Sequence, residues 1–74
     1  MKPQEVKTLI EDGIPGATAT VSDLTGTGDH FRADVVAPAF EGKSMIEQHQ
    51  MVYAALGDRV GGPIHALQLF TKAK

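Results

Sequence analysis

The first apolar positions of the chain follow a helical spacing. They recur three and four residues apart and so lie on one side of a helix: Val6, Leu9 and Ile10. Pro3 suits the first helical turn, because the N–H that proline lacks would find no partner there. We therefore predict a helix from Pro3 to Asp12. Gly13 is expected to end this helix as a left-handed cap.

Two segments that alternate between apolar and polar residues follow, as half-buried strands do. The first runs from Ala17 to Leu24 and the second from His30 to Ala37, with a glycine-rich loop between them. The residues expected to face the interior are Ala17, Ala19, Val21, Phe31, Ala33 and Val35. Because the connection is short, the two segments are predicted to pair as an antiparallel hairpin.

A capping signal introduces a second helix. Ser44 is followed three residues later by Glu47, which is the pattern of a capping box. This pattern predicts a helix from Met45 to Leu56 that stops at Gly57. Its apolar stripe is expected to comprise Met45, Ile46, His49, Val52, Tyr53 and Leu56. After a Gly-Gly-Pro break, the segment from Ile64 to Thr71 is predicted to be a third strand.

The order of the elements, helix, strand, strand, helix, strand, restricts the topology. Because the connection between the second and third strands contains a whole helix, those strands should be parallel neighbours with a right-handed crossover. A chain of 74 residues supports one hydrophobic core, so residues 1–74 are expected to form a single domain. The sequence therefore predicts an α+β fold, a three-stranded mixed sheet with the helices on one face.

Composition excludes several kinds of chemistry. The chain has no cysteine, which rules out disulfides, cysteine-bound zinc and a thiol nucleophile. A net charge of -2 and an aromatic content of 5% disfavour a nucleic-acid binder, which needs cations for phosphates and rings for bases. No apolar run reaches the ~18 residues of a membrane span, and the first residues are too polar for a signal peptide. We expect a soluble, cytoplasmic protein.

Three histidines are the side chains that titrate nearest to neutral pH, and two of them have suggestive positions. His30 opens the second strand, and His65 opens the third after the Gly-Gly-Pro break. If these strands are parallel, both histidines lie at one end of the sheet, where two imidazoles could share a metal. Alternation along the strands favours opposite faces of the sheet for the two histidine side chains. Because His30 is expected to point outward, it is either an exposed histidine or a ligand. Two imidazoles would leave coordination positions on the metal open for ligands from a partner.

The third histidine and the remaining motifs are interpreted as structural. His49 lies within the apolar stripe, where a histidine hydrogen-bonded to backbone is expected. Ser44 is explained as an N-cap rather than as a nucleophile. The sequence Gly13-Ile14-Pro15-Gly16 has the GXXG form of a KH loop, but it joins a helix to a strand, so we interpret it as a turn. A chain this short has little room for a walled pocket, and we expect no enzymatic activity.

The sequence resembles the BolA family over nearly its whole length. The motifs that carry the resemblance are Gly28-Asp29-His30-Phe31, Phe40-Glu41-Gly42-Lys43-Ser44, Gln48-His49-Gln50 and Ile64-His65-Ala66-Leu67. The resemblance implies a class II KH-like α+β domain that lacks a working GXXG loop. This fold agrees with the order α-β-β-α-β predicted above.

The resemblance also implies a partner and a cofactor. Members of the family bind monothiol glutaredoxins and share a [2Fe–2S] cluster with them in iron homeostasis and cluster trafficking. His65 matches the family's C-terminal histidine, the expected cluster ligand, and His30 is the histidine nearest to the second ligand position. The glutaredoxin cysteine and glutathione would supply the remaining thiolates, so the chain would hold no cluster alone. Some members are described as stress-response proteins or transcriptional regulators, and nucleic-acid binding through the KH-like surface is the alternative function.

Binding of this chain to DNA or RNA is expected to be weak and to disappear at a physiological ionic strength of ~0.15 M. The family often has arginine on both sides of the histidine at position 49, where this chain has Gln48 and Gln50. Few phosphate contacts can therefore be assembled. Fluorescence anisotropy of labelled oligonucleotides across a salt series measures this, and a sequence-specific complex of sub-micromolar affinity at that salt would contradict it.

Overall fold

A computed structural model describes all 74 residues and shows two helices and three strands in the predicted order. The elements are α1 (Pro3–Gly13), β1 (Thr18–Asp23), β2 (His30–Ala37), α2 (Met45–Leu56) and β3 (Ala66–Ala73). Short 3-10 turns, Pro38–Phe40 and Gly57–Arg59, precede and follow α2. Neither helix is long and apolar enough to cross a membrane.

The sheet has the order β1-β2-β3, with β2 in the centre. β1 pairs with β2 antiparallel, in a register that sets Thr18 opposite Val36. β2 pairs with β3 in parallel, and here His30 lies opposite Ala66. The prediction of a mixed three-stranded sheet with a hairpin and a parallel crossover is therefore confirmed.

One face of the sheet and the two helices enclose the core. Twelve buried apolar residues form it, and they come from both helices, from β1 and β2 and from the connecting segments: Val6, Ile10, Ile14, Ala19, Phe31, Ala33, Val35, Ala37, Phe40, Val52, Leu56 and Ile64. Along β2 the buried positions alternate with more exposed ones, as a strand covered on one face requires. The opposite face of the sheet, which carries His30, Arg32 and Asp34, is not covered by a helix.

Gly13 does not act as the predicted left-handed cap. It is the last residue of α1 and its φ is not positive, and Ile14 after it turns into the core. A Cβ atom at position 13 would lie 2.6 Å from the Cβ of Ala55 on α2. The glycine is therefore required by the close approach of the two helices, and not by the turn.

The buried face of α2 differs from the predicted stripe. Val52 and Leu56 are buried as expected, but three other stripe residues are exposed, by 55% for Met45, 71% for Ile46 and 41% for Tyr53. Gln48 is buried in their place. Its amide nitrogen donates a hydrogen bond to the carbonyl oxygen of Lys43 at 3.0 Å, whereas its Oε1 is buried without a hydrogen-bond partner.

The predicted backbone hydrogen bond of His49 is also absent. The side chain is half-buried on α2, and its Nε2 is buried without a hydrogen-bond partner. His49 thus occupies the boundary position that was expected, without the bond that was expected to hold it there.

The third strand begins two residues later than predicted, at Ala66, and continues to Ala73. Ile64 belongs to the preceding turn, because its N–H donates to the carbonyl of Arg59 and its own carbonyl accepts from Gly61 N–H, both at 2.8 Å. The side chain of Ile64 is fully buried. His65 consequently precedes the strand instead of lying within it.

Two charged side chains of α1 cover the free edge of β1. The Glu11 carboxylate accepts a hydrogen bond from the Ala19 N–H at 2.9 Å, and Lys7 Nζ donates to the Ala19 carbonyl at 3.0 Å. Lys7 and Glu11 also form an ion pair. The hydrogen bond from Lys7, followed by that from Ala19, lowers the pKa of Glu11 below its ordinary value of 4.5.

Gly13→Ala is expected to destabilise the fold by roughly 1 to 2 kcal/mol, because the added methyl group overlaps Ala55, while the gain in helix propensity offsets only part of this. Chemical denaturation measures the effect. Gly62→Ala is the matched control: the φ of Gly62 is not positive and an added Cβ comes no closer than 3.4 Å to another atom, so its stability should stay near wild type. Equal stability of the two variants would contradict the helix contact.

Glu11→Gln should lower the melting temperature at neutral pH and have little effect in acid. The pKa of Glu11 is lower in the folded state than in the unfolded state, so the ionised carboxylate stabilises the fold above pH 4.5, and this stabilisation disappears as pH falls through the folded pKa. Melting curves across this range measure the difference. Glu41→Gln changes an exposed carboxylate that makes no hydrogen bond or ion pair, and it should follow the wild-type profile. A Glu11→Gln effect that persisted unchanged in acid would contradict the role of this ion pair.

Candidate metal-binding site at one end of the sheet

Two histidines meet where β2 and β3 begin. His30 is the first residue of β2, and His65 immediately precedes β3. Their ring centroids are 5.2 Å apart, with the ring planes inclined by 58°. The expected proximity is confirmed, and the expectation of opposite faces does not hold, because His65 lies outside the strand and its side chain need not follow the alternation.

The main chain of Asp29 joins the two segments that carry the histidines. Its carbonyl oxygen accepts hydrogen bonds from the N–H of His65 at 2.8 Å and from the N–H of Ala66 at 3.2 Å. These bonds extend the parallel pairing of β2 and β3 by one residue beyond the sheet. They fix the backbone of His65 beside the start of β2.

The side chain of Asp29 contacts His30. Its Oδ1 lies 2.8 Å from Nδ1 of His30, and Thr27 Oγ1 donates a hydrogen bond to the same oxygen. The hydrogen bond from Thr27, then that from His30, and the nearby charges of His30 and His65 lower the pKa of Asp29. The site therefore contains an ionised carboxylate within hydrogen-bond distance of one of the two imidazoles.

A second aspartate shapes the loop between β1 and β2. Asp23 Oδ1 accepts from the N–H of Thr25 at 3.2 Å and of Gly26 at 2.9 Å, and Oδ2 accepts from the N–H of Gly28 at 2.9 Å. Gly26 and Gly28 have φ angles of +76° and +78°, which favour glycine. These hydrogen bonds hold the loop in a compact conformation, and the loop ends at Asp29, directly before His30 at the start of β2.

The histidine pair is accessible from solvent. The His30 side chain is 34% exposed, and His65 is exposed. No group of three His, Cys, Asp or Glu side chains in the chain is arranged to hold a metal ion, and the chain has no cysteine. The donor chemistry suits a transition metal, since imidazole is a good ligand for iron, and two imidazoles leave further coordination positions on such a metal open.

The other motifs have structural roles. Ser44 Oγ accepts from the Glu47 N–H at 3.1 Å, and the Glu47 carboxylate accepts from the Ser44 N–H at 2.9 Å, so the capping box is confirmed. The GXXG sequence forms a turn as expected: Ile14 is only 1% exposed, and Gly16 has a φ of +73°. Neither motif contributes to the histidine pair.

Sequence reasoning brought His30 and His65 together but missed the residues behind them. The sequence marks Asp29 only as part of the motif Gly28-Asp29-His30-Phe31 and does not mark Thr27, although a carboxylate is a common hydrogen-bond partner of a metal-binding histidine. Asp23 was missed too. An aspartate followed by a Thr-Gly-Thr-Gly loop is the pattern in which a carboxylate caps several backbone N–H groups.

Known proteins resemble this chain in sequence and in fold. A family model described as BolA-like protein matches residues 10–74. Human BolA-like protein 1 is 48% identical over 44 residues, which cover 60% of this chain and 32% of that protein. The chain thus spans 32% to 34% of the length of the mammalian BolA-like protein 1 relatives that it matches.

Two solved structures extend the likeness over nearly the whole chain. The structure of a bolA protein homologue from Coxiella burnetii has a TM-score of 0.81 and 36% sequence identity, covering 96% of this chain and 88% of that one. The BolA domain of SufE1 from Arabidopsis thaliana has a TM-score of 0.81 and 26% identity, covering 96% and 90%. From the family match, the order of its elements and these structures, the chain belongs to the BolA-like protein family.

Proposed function

We propose that this chain is a non-enzymatic adaptor that binds a monothiol glutaredoxin and shares a [2Fe–2S] cluster with it, in iron–sulfur trafficking or iron homeostasis. The observation that carries the proposal is the pair of accessible imidazoles of His30 and His65, 5.2 Å apart at one end of the sheet. They form a half-site, with too few ligands to hold a metal centre without a partner.

The ligands that are missing from the chain are those that the partner can supply. Iron–sulfur clusters are held mainly by thiolates, and this chain has none. A cysteine of the glutaredoxin and glutathione would provide them, and His65 and His30 would provide imidazole on one side. Imidazole in place of thiolate makes such a cluster less negative and raises its potential, as in Rieske centres.

The two histidines differ in how they are held. His65 is exposed and its ring makes no side-chain hydrogen bond, so both ring nitrogens are available to a ligand. His30 is bonded to Asp29 through Nδ1, which leaves Nε2 as its free nitrogen. His65 is therefore the primary ligand in this proposal, and His30 is the second.

The comparisons support an iron–sulfur role only in general terms. The chain is a BolA-like protein, and a BolA domain of the same fold occurs in SufE1 of Arabidopsis thaliana. The sequence of a SufE-like protein from that plant is 37% identical to this chain over 43 residues. A BolA domain joined to a SufE-type protein fits a part in iron–sulfur chemistry.

The open face of the sheet gives little support to the nucleic-acid alternative. Arg32 is the cation at the centre of this face, and its guanidinium lies 4.5 Å from the centroid of the Phe70 ring. It is also paired with Asp34, with Nε and Oδ2 3.1 Å apart. The cation and the aromatic ring at the centre of this face therefore contact each other.

Mixing this chain with a monothiol glutaredoxin that carries a [2Fe–2S] cluster should give a heterodimer and a changed visible circular dichroism spectrum. His65→Ala should abolish the spectral change, and His30→Ala should reduce it, because each variant removes an imidazole from the iron. Both variants should keep a stability within about 0.5 kcal/mol of wild type, since the two side chains lie at or near the surface.

His49→Ala is the matched control, because it removes the third histidine, which lies on α2 outside the pair. It should leave the cluster spectrum unchanged, whatever its effect on stability. Two results would overturn the proposal. One is the absence of a heterodimer with the wild-type chain, and the other is an unchanged spectrum in His65→Ala while the heterodimer still forms.

A further inference from the structure

We propose that Asp29 is the positioning residue of this site: its carboxylate holds the His30 imidazole in one orientation and one tautomer, with Nε2 presented to the metal. The inference rests on the proposed function, because it concerns how this chain prepares one of the two ligands. It assigns a role to a residue that binds no metal itself.

The Asp29 carboxylate contacts the Nδ1 nitrogen of His30, which leaves Nε2 as the nitrogen available to a ligand. Oδ1 of Asp29 lies 2.8 Å from Nδ1 of His30, a hydrogen-bond distance, and Thr27 donates to the same oxygen. The Thr27 hydroxyl in turn lies 2.5 Å from the Thr25 hydroxyl. Hydrogen bonds from the loop between β1 and β2 thus help to orient the Asp29 carboxylate, and its orientation does not depend on His30 alone.

The direction of the hydrogen bond follows from the chemistry of the two groups. An aspartate near the surface is ionised at neutral pH, and an ionised carboxylate can only accept hydrogen bonds. Nδ1 of His30 must therefore carry the hydrogen. In the neutral ring the lone pair is then on Nε2, which is the arrangement that carboxylates impose on metal-binding histidines.

Asp29 contacts the two histidines through different groups. Its side chain bonds His30, whereas its main-chain carbonyl accepts from the N–H of His65 and of Ala66. A side-chain substitution removes only the first contact and leaves the His65 backbone in place. Asp29→Ala should consequently behave like His30→Ala and unlike His65→Ala.

The first test uses the chain alone and needs no cluster. Long-range ¹H–¹⁵N NMR of the imidazoles, at a pH where they are neutral, should show His30 of the wild type with its hydrogen on Nδ1. Asp29→Ala should move the hydrogen predominantly to Nε2, the tautomer that a free imidazole favours. Asp29→Asn should restore the Nδ1 tautomer, because the amide oxygen can still accept from Nδ1.

Asp34→Ala is the matched control for charge. Asp34 lies on β2, on the same face of the sheet as His30, and its carboxylate pairs with Arg32 instead of a histidine. Removal of this carboxylate should leave the His30 tautomer as in the wild type. A shift equal to that of Asp29→Ala would show that net charge, and not the contact, sets the tautomer, and it would overturn the proposal.

The second test uses the cluster-loaded monothiol glutaredoxin. Asp29→Ala should reduce the change in visible circular dichroism to the amplitude seen with His30→Ala, and the double variant should show no further loss, because both changes act through one ring. Asp29→Asn should recover most of the amplitude. Additive losses in the double variant would contradict a role exercised through His30.

The two tests separate the failure of this inference from that of the proposed function. A wild-type His30 with its hydrogen on Nε2, or an Asp29→Ala variant with unchanged tautomer and spectrum, overturns the role of Asp29 and leaves cluster sharing intact. A wild-type chain that shows the Nδ1 tautomer but gives no spectral change with the glutaredoxin overturns cluster sharing, and the metal-directed role of Asp29 with it.

Discussion

The parallel pairing of β2 with β3 is the constraint on which the site depends. Parallel strands start at the same end of a sheet, so His30 and the residue before β3 become neighbours although they are far apart in the sequence. The carbonyl of Asp29 extends that pairing to His65. An antiparallel third strand would have placed its first residues at the opposite end of the sheet, and no histidine pair would exist.

The rest of the fold maintains this pairing. The crossover from β2 to β3 passes through α2, whose position is fixed by the close contact between Gly13 and Ala55 and by the burial of Val52 and Leu56. Ile64 fills the core directly before His65, so the chain enters β3 from a buried anchor. The backbone beside the histidine pair is thus held by hydrogen bonds and by a buried side chain, as a preformed pair of ligands would require.

Local patterns were sufficient to predict the elements and their topology, whereas contacts between distant residues were not accessible. The capping box and the alternation along β2 depend on neighbouring residues, and both were predicted correctly. The requirement for Gly13 depends on Ala55, and the burial of Gln48 depends on an acceptor in the preceding turn, at Lys43. Proximity of the histidines followed from topology alone, but the contact with Asp29 requires side-chain positions that no periodicity predicts.

The central claim is that this chain contributes two imidazoles, and no thiolate, to a cluster completed by its partner. The most direct measurement is pulsed electron paramagnetic resonance of the reduced cluster in the heterodimer, with ¹⁵N-histidine in this chain and an unlabelled glutaredoxin. The account predicts strong couplings from two ¹⁵N nuclei, one from His65 and one from His30. A cluster without strong coupling to ¹⁵N-histidine would have no imidazole ligand from this chain, and this would contradict the account.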